Sequence, residues 1–202
     1  MTNPKSNLHG LILAGGKSER MGADKGLVQY RSRPHRFWLA DLLAPVCQRV
    51  FISVNSAQEK LDAGHYDYVV DDPACADNGP IGGLMTAHGA GESAWLVLSC
   101  DLPYFDGAAL AALLAGREPN RAGTAFFNPD THQPEPLVTI YEPAFMRALP
   151  GAFAAGERSL RRLLARADTK LIREYDPCWI VSANTPAARD EALRMLAKSQ
   201  GR

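Results

Sequence analysis

The apolar run Leu8–Leu13 stops abruptly at Gly15-Gly16, and the cations Arg20 and Lys25 follow within ten residues. A buried strand that opens into paired glycines presents bare backbone N–H groups at its end. Lacking Cβ atoms, that backbone can approach a ligand closely. Oriented amides joined by Arg and Lys suit a polyphosphate. Two commoner phosphate loops are excluded by spacing. A Gly-x-x-x-x-Gly-Lys loop needs Lys directly after its second Gly, but Ala23 follows Gly22. The pair Gly15-Gly16 does not form a Gly-x-Gly-x-x-Gly dinucleotide fingerprint either.

Further apolar runs alternate with helix-like stretches. Residues 50–54, 68–70, 95–98, 124–127, 137–141, 170–172 and 178–181 read as strands. Helical spacing is expected over 36–46, from 82 to 88, and over 108–114, 143–149 and 159–167. Thr185 is a good N-cap, with Pro186 at the first helical position of a last helix. This order predicts an α/β fold: a single three-layer α/β/α domain over residues 1–202, with a mainly parallel, Rossmann-like sheet. Open parallel sheets bind ligands beyond the carboxyl ends of their strands. The segments after the first four strands are therefore expected to line one crevice.

At 202 residues the chain can bury a substantial core. Its formal net charge of zero suggests no general affinity for nucleic acid or acidic membranes. No apolar run approaches the ~20 residues of a membrane span, and residues 1–7 lack the apolar core of a secretory signal. A cytoplasmic location is expected. The cysteines Cys47, Cys75, Cys100 and Cys178 are too dispersed for a disulfide framework or zinc site.

Several polar residues fall at strand ends. In Cys100-Asp101-Leu102-Pro103 the carboxylate reads either as a Mg²⁺ anchor or as a turn cap. In Val70-Asp71-Asp72-Pro73 the two acids should point opposite ways, so only one faces the crevice. Asn55 offers a donor and acceptors suited to a base edge or ribose. Three glycines and a proline in Asn78-Gly79-Pro80-Ile81-Gly82-Gly83 set an unusual turn before a helix, whose N-terminus has free N–H groups. In the second half, His132, Glu135 and the cluster Arg158, Arg161 and Arg162 read either as solvated polar surface or as contacts to a second substrate.

Leu13-Ala14-Gly15-Gly16, Arg20-Met21-Gly22 and Asp24-Lys25 together resemble the opening of the nucleotidyltransferases with a GT-A-like fold, in particular the molybdenum cofactor guanylyltransferases (MobA-type). Cytidylyltransferases acting on the same pterin typically carry Ala-Ala-Gly at this point, so Ala14-Gly15-Gly16 leans towards guanine. Cys100-Asp101-Leu102-Pro103 and Gly79-Pro80-Ile81-Gly82-Gly83 match the family's metal and base-side motifs, and Ser182-Ala183-Asn184-Thr185-Pro186 resembles its Asn-x-Asn-Thr-Pro. The resemblance runs from about Leu11 to Ala188 and thins between Gly107 and Ile180.

The resemblance implies that Leu13, Ala14, Gly15, Gly16, Lys25, Asn55, Asp72, Gly79, Pro80, Gly83 and Asp101 hold GTP. Arg20 and Lys25 would offset triphosphate charge while Asp101 binds Mg²⁺. Asn184, His132, Glu135 and Arg158 would serve the acceptor, molybdopterin. Molybdoenzyme apoproteins or cofactor-delivery proteins are the further partners it suggests. Two departures stand out. Ser182 replaces the first Asn of the last motif, and Pro34-His35-Arg36 carries polar residues where the family often has apolar ones, which suggests an exposed partner surface. The implied reaction is GMP transfer from GTP to the acceptor's phosphate. Its alternatives are CTP as donor, another phosphate acceptor, or a non-catalytic protein that binds GTP and delivers the cofactor.

Overall fold

A computed structural model describes residues 7–15, 25–56, 58, 65–88 and 93–200. The first strand, β1 (Leu8–Leu13), lies at the centre of the sheet because both its faces are apolar: Leu8 and Ile12 enter one core, Leu11 the other. The strand β4 (Ala94–Ser99) does the same, with Ala94, Leu96 and Leu98 on one side and Trp95 and Val97 on the other. This period of two is what a strand covered on both faces requires.

Seven strands form one sheet in the order β3-β2-β1-β4-β6-β5-β7. The other strands are β2 (Val50–Val54), β3 (Asp67–Val70), β5 (Gly123–Asn128), β6 (Gln133–Tyr141) and β7 (Thr169–Ile172). Strands β1, β2, β3 and β4 are parallel neighbours, and β7 is parallel to β5. The long β6 runs antiparallel between β4 and β5. Its reversed direction brings its first residues to the edge where β1–β4 end.

Helices α1 (His35–Leu43) and α3 (Gly107–Ala115) cover one face with Phe37, Leu39, Leu43, Ala109, Leu110 and Leu113. Helices α2 (Pro80–His88), α4 (Pro143–Ala154) and α5 (Leu160–Arg166) cover the other with Ile81, Leu84, Phe145, Met146, Leu149, Leu160 and Leu164. The expected three layers and mainly parallel sheet are therefore present. Local chemistry sets the helix starts: Asp106 accepts from the N–H of Ala108 and Ala109 at 2.9 and 3.0 Å, and Ser159 accepts from Arg162 N at 3.3 Å. Thr185 caps the last helix, α6 (Pro186–Gln200), accepting from Ala188 N at 3.2 Å.

Two expectations are corrected. Residues 178–181 form no strand; Pro177–Ile180 is a 3-10 turn, started by Asp176 accepting from Cys178 N at 3.0 Å. His35 and Arg36 are not a partner surface, for both have 0% exposure. His35 Nε2 lies 3.0 Å from the Leu102 carbonyl, its ring stacks parallel to Trp38, and Tyr30 meets it edge-on. Because a carbonyl only accepts, Nε2 carries the proton.

Candidate functional site

The strand ends are tied together before any side chain is considered. Ala14 N donates to Ser53 O at 2.9 Å, and Cys100 N to Leu13 O at 3.1 Å. Beyond these bonds lies a cleft of about 190 Å³. Leu13 of β1 and Gly15 just after it, Ser53 of β2, Asp71 after β3, and Ser99 and Asp101 at the β4 end form its floor and sides. Gly79, Pro80 and Gly83 at the start of α2 close one wall, and Leu137 of β6 another. The crevice falls where the topology rule puts it.

The turn before α2 needs its glycines. Gly79 has φ +65, a left-handed backbone that favours glycine. A Cβ at Gly83 would sit 2.8 Å from both Leu13 Cδ2 and Ser53 Oγ. The bare backbone thus lets α2 press against the ends of β1 and β2, where Ser53 Oγ donates to Asp71 Oδ1 at 3.2 Å.

Asp101 is 7% exposed, and its Oδ1 is buried with no hydrogen-bond partner among the described residues. The backbone around it is held from three directions. Ala183 N donates to Asp101 O at 2.8 Å, His35 Nε2 to Leu102 O, and Arg31 Nη1 to Pro103 O at 3.0 Å. Next to Ala183, Asn184 Oδ1 accepts from Lys25 Nζ at 2.7 Å. Lys25, Asn184 and Asp101 are thereby joined by two short links. Tyr30 packs against Ala183 and Ala192; burial, with the Asp101 and Cys100 charges, pushes its hydroxyl up to about 12.

Of the residues expected at a nucleotide, Leu13, Gly15, Gly79, Pro80, Gly83 and Asp101 line the cleft. Ala14 lies buried behind it, its carbonyl accepting from Gln58 Nε2 at 2.9 Å. Asn55 sits beside Gly15, with its backbone N donating to Gln58 Oε1 at 3.0 Å. Gly16 and Arg20 lie outside the described residues.

The acid that faces the cleft is Asp71, which corrects the expectation for Asp72. Asp72 is exposed and turns back to accept from Ala74 N at 2.8 Å, closing the loop after β3. Burial pushes the Asp71 carboxyl up from its ordinary value; the Ser53 hydroxyl bond opposes this and Asp77 reinforces it. Sequence reasoning missed Ser53 and Leu137. Both are ordinary strand residues: Ser53 is the next-to-last residue of β2, and Leu137, in the middle of β6, lies level with the end of β4.

On the acceptor side, His132 sits exposed in the β5–β6 turn at φ 54, against Phe127. Glu135 is buried under that hairpin, accepting from Asn128 Nδ2 at 3.0 Å and Leu137 N at 3.3 Å. Arg158 lines a second cavity of about 340 Å³, which shares Pro80 and Leu137 with the cleft.

An unpartnered buried carboxylate oxygen among backbone amides fits a hard cation. Among the described residues no cluster of three or more His, Cys, Asp or Glu side chains surrounds it. Any ion at Asp101 would complete its shell with water and substrate oxygens. No helix among the described residues is long and apolar enough to cross a membrane.

The chain's relatives share this framework. The model of a MobA-like NTP transferase domain matches residues 10–173. A molybdenum cofactor guanylyltransferase of Pseudomonas aeruginosa (strain PAO1) is 35% identical over 182 residues, 87% of this chain and 89% of that protein. A molybdenum cofactor biosynthesis bifunctional protein of Synechocystis sp. is 33% identical over 181 residues; the match takes in 89% of this chain but 52% of that relative, so the chain spans about half its length. Among solved structures, molybdopterin-guanine dinucleotide biosynthesis protein A from Archaeoglobus fulgidus superimposes with a TM-score of 0.76 at 19% identity, covering 94% of this chain and 99% of that one. At that identity the likeness speaks for the fold, while the domain match, across more than half of the chain, settles the family. The chain belongs to the MobA-like NTP transferase family and is a nucleotidyltransferase.

Proposed function

We propose that this chain transfers GMP from GTP to the phosphate of molybdopterin, giving the guanine dinucleotide form of the cofactor and pyrophosphate. One observation carries the reading: Asp101, whose buried Oδ1 has no partner among the described residues, lines one cleft with Gly15, and its backbone is tied to Ala183, the neighbour of the Asn184 that holds Lys25. Relatives that are molybdenum cofactor guanylyltransferases support the choice of donor and acceptor. The reaction belongs in the cytoplasm, where GTP is available.

An oxygen of the acceptor phosphate forms a bond to the α-phosphorus. The bond from that phosphorus to the bridging oxygen breaks, and pyrophosphate leaves with the electron pair. The nucleophile is already an anion, so no general base is needed. Catalysis is alignment and charge neutralisation. Leu13 and Gly15 bring bare backbone to the nucleotide, and Lys25 offsets triphosphate charge while Asn184 holds its ammonium in place. Asp71 and Asn55 face the base side, where a carboxylate can accept from the adjacent N1–H and 2-amino groups of guanine; cytosine lacks that pair of donors. Asp101 would hold Mg²⁺, which supplies charge compensation between the two phosphate groups when bound.

The test is pyrophosphate release with molybdopterin and Mg²⁺, with GTP and CTP compared as donors. GTP should be used and CTP rejected; preferential use of CTP overturns the donor assignment. Asp101→Ala should lower turnover by about 10³-fold or more with an unchanged circular dichroism spectrum. Turnover at the wild-type rate in that variant removes Asp101 from the mechanism.

A further inference from the structure

The nucleotide and the acceptor phosphate are both anions, and each needs its own cation. In-line displacement puts the attacking oxygen opposite the leaving pyrophosphate. Lys25 is assigned to the triphosphate in the reading above, so the acceptor needs a different cation, and the rim at Pro80 and Leu137 is open to supply it. That is where the second cavity joins the cleft. Pro80, Ile81, Pro136 and Leu137 give it apolar walls suited to a flat heterocycle, and Arg158 and Arg161 give it charge.

These two arginines are not equivalent. Arg158 Nε donates to Asn78 Oδ1 at 2.8 Å, and its Nη1 donates to Phe153 O at 2.6 Å and Glu157 O at 3.0 Å. Its guanidinium also lies 3.8 Å from the centre of the Phe153 ring. It is a strut between the turn before α2 and the α4–α5 connection. Arg162 and Arg166 are taken up by Glu157. Arg161 is different. Its one ion pair among the described residues is a 3.6 Å contact to Glu135, whose carboxylate Asn128 and Leu137 N already hold. Its Nε is buried with no partner among the described residues, while the side chain as a whole is 37% exposed, which leaves the outer guanidinium nitrogens accessible.

We infer that Arg161, rather than Arg158, binds the acceptor's phosphate, and that the adjoining cavity receives the acceptor's ring. This assignment rests on the guanylyl-transfer reading above. A guanidinium meets a phosphate through two parallel N–H donors, a geometry open to Arg161 and spent in Arg158.

The test titrates wild-type protein, Arg161→Gln, Arg161→Lys and Arg158→Gln with molybdopterin and, separately, with GTP. Turnover is followed in parallel. Arg161→Gln should weaken molybdopterin binding and raise its KM about tenfold or more, with GTP affinity and melting temperature unchanged. Arg161→Lys should recover part of the loss. The salt dependence of kcat/KM for the acceptor should become shallower in Arg161→Gln, which a purely structural role would not produce. Arg158→Gln should lower the melting temperature and affect the acceptor less. Wild-type acceptor affinity in Arg161→Gln, or a larger acceptor defect in Arg158→Gln at unchanged stability, overturns the assignment while guanylyl transfer stands. A wild-type protein that neither binds nor turns over molybdopterin overturns the transfer reading and this assignment with it.

Discussion

At His35 an imidazole is enclosed completely, one nitrogen donating to Leu102 O and the other, Nδ1, buried without a partner among the described residues. Protonation would place a charge at Nδ1 with nothing to receive it. Burial, helped by nearby Arg31, lowers the pKa to about 4 against the favourable carbonyl bond. The sign follows directly. Above pH 6.5 the ring is neutral both folded and unfolded, and its packing is fully expressed. As pH falls from 6.5 towards 4 the unfolded chain takes up the proton first, so stability is lost across that window, by about 3 kcal/mol at its lower end. His9, also lowered by burial, acts in the same direction. Urea denaturation between pH 7 and 4.5 should show this decline, and His35→Phe should flatten it. No run or spacing in the sequence signals the enclosure of His35. It arises because the loop after β4 folds over the start of α1, a contact between residues 67 positions apart.

The start of α2 separates two adjacent glycines by what surrounds them. A Cβ at Gly82 would strike the backbone carbonyl of Cys75, which cannot move alone. Gly82→Ala should therefore cost about 2 kcal/mol or more in denaturant titration. At Gly83 the obstacles are the ends of two side chains, Leu13 Cδ2 and Ser53 Oγ, which can shift. The gain in helix propensity, about 1 kcal/mol, offsets much of that strain. Gly83→Ala should leave the melting temperature nearly unchanged but displace Ser53 from Asp71, raising the dissociation constant for GTP about tenfold in a calorimetric titration. Elements of this kind were largely legible in advance: paired apolar faces gave β1 and β4, and Thr185-Pro186 gave the start of α6. Residues 178–181 misled because a short apolar run has no period of its own, and Asp176-Pro177 turned it into a 3-10 helix. The choice between Asp71 and Asp72 was illegible for a related reason. Alternation says that the acids diverge, and only the bond from Ser53 decides which one turns inward.

Across the whole molecule, the cleft depends on segments far apart in the chain. Lys25 and Asn184 are 159 positions apart and meet at 2.7 Å. If this contact aligns the two halves, Lys25→Ala and Asn184→Ala should each reduce kcat/KM for GTP, and the double variant should lose less than the sum of the two effects. Additive losses in that double-mutant cycle would mean that the residues act independently. The antiparallel β6 has a wider consequence. Parallel strands alone would deliver only their own ends to the cleft, but β6 runs the other way and carries Pro136 and Leu137 to the same rim. One chain reversal thus joins two kinds of strand at a single rim: the ends of β1, β2 and β4 and, from the opposite direction, β6, whose hairpin and α5 are packed into the same core. On the transfer reading proposed above, substitutions confined to the β6 wall would change which acceptor is taken while leaving in place the residues assigned to the nucleotide.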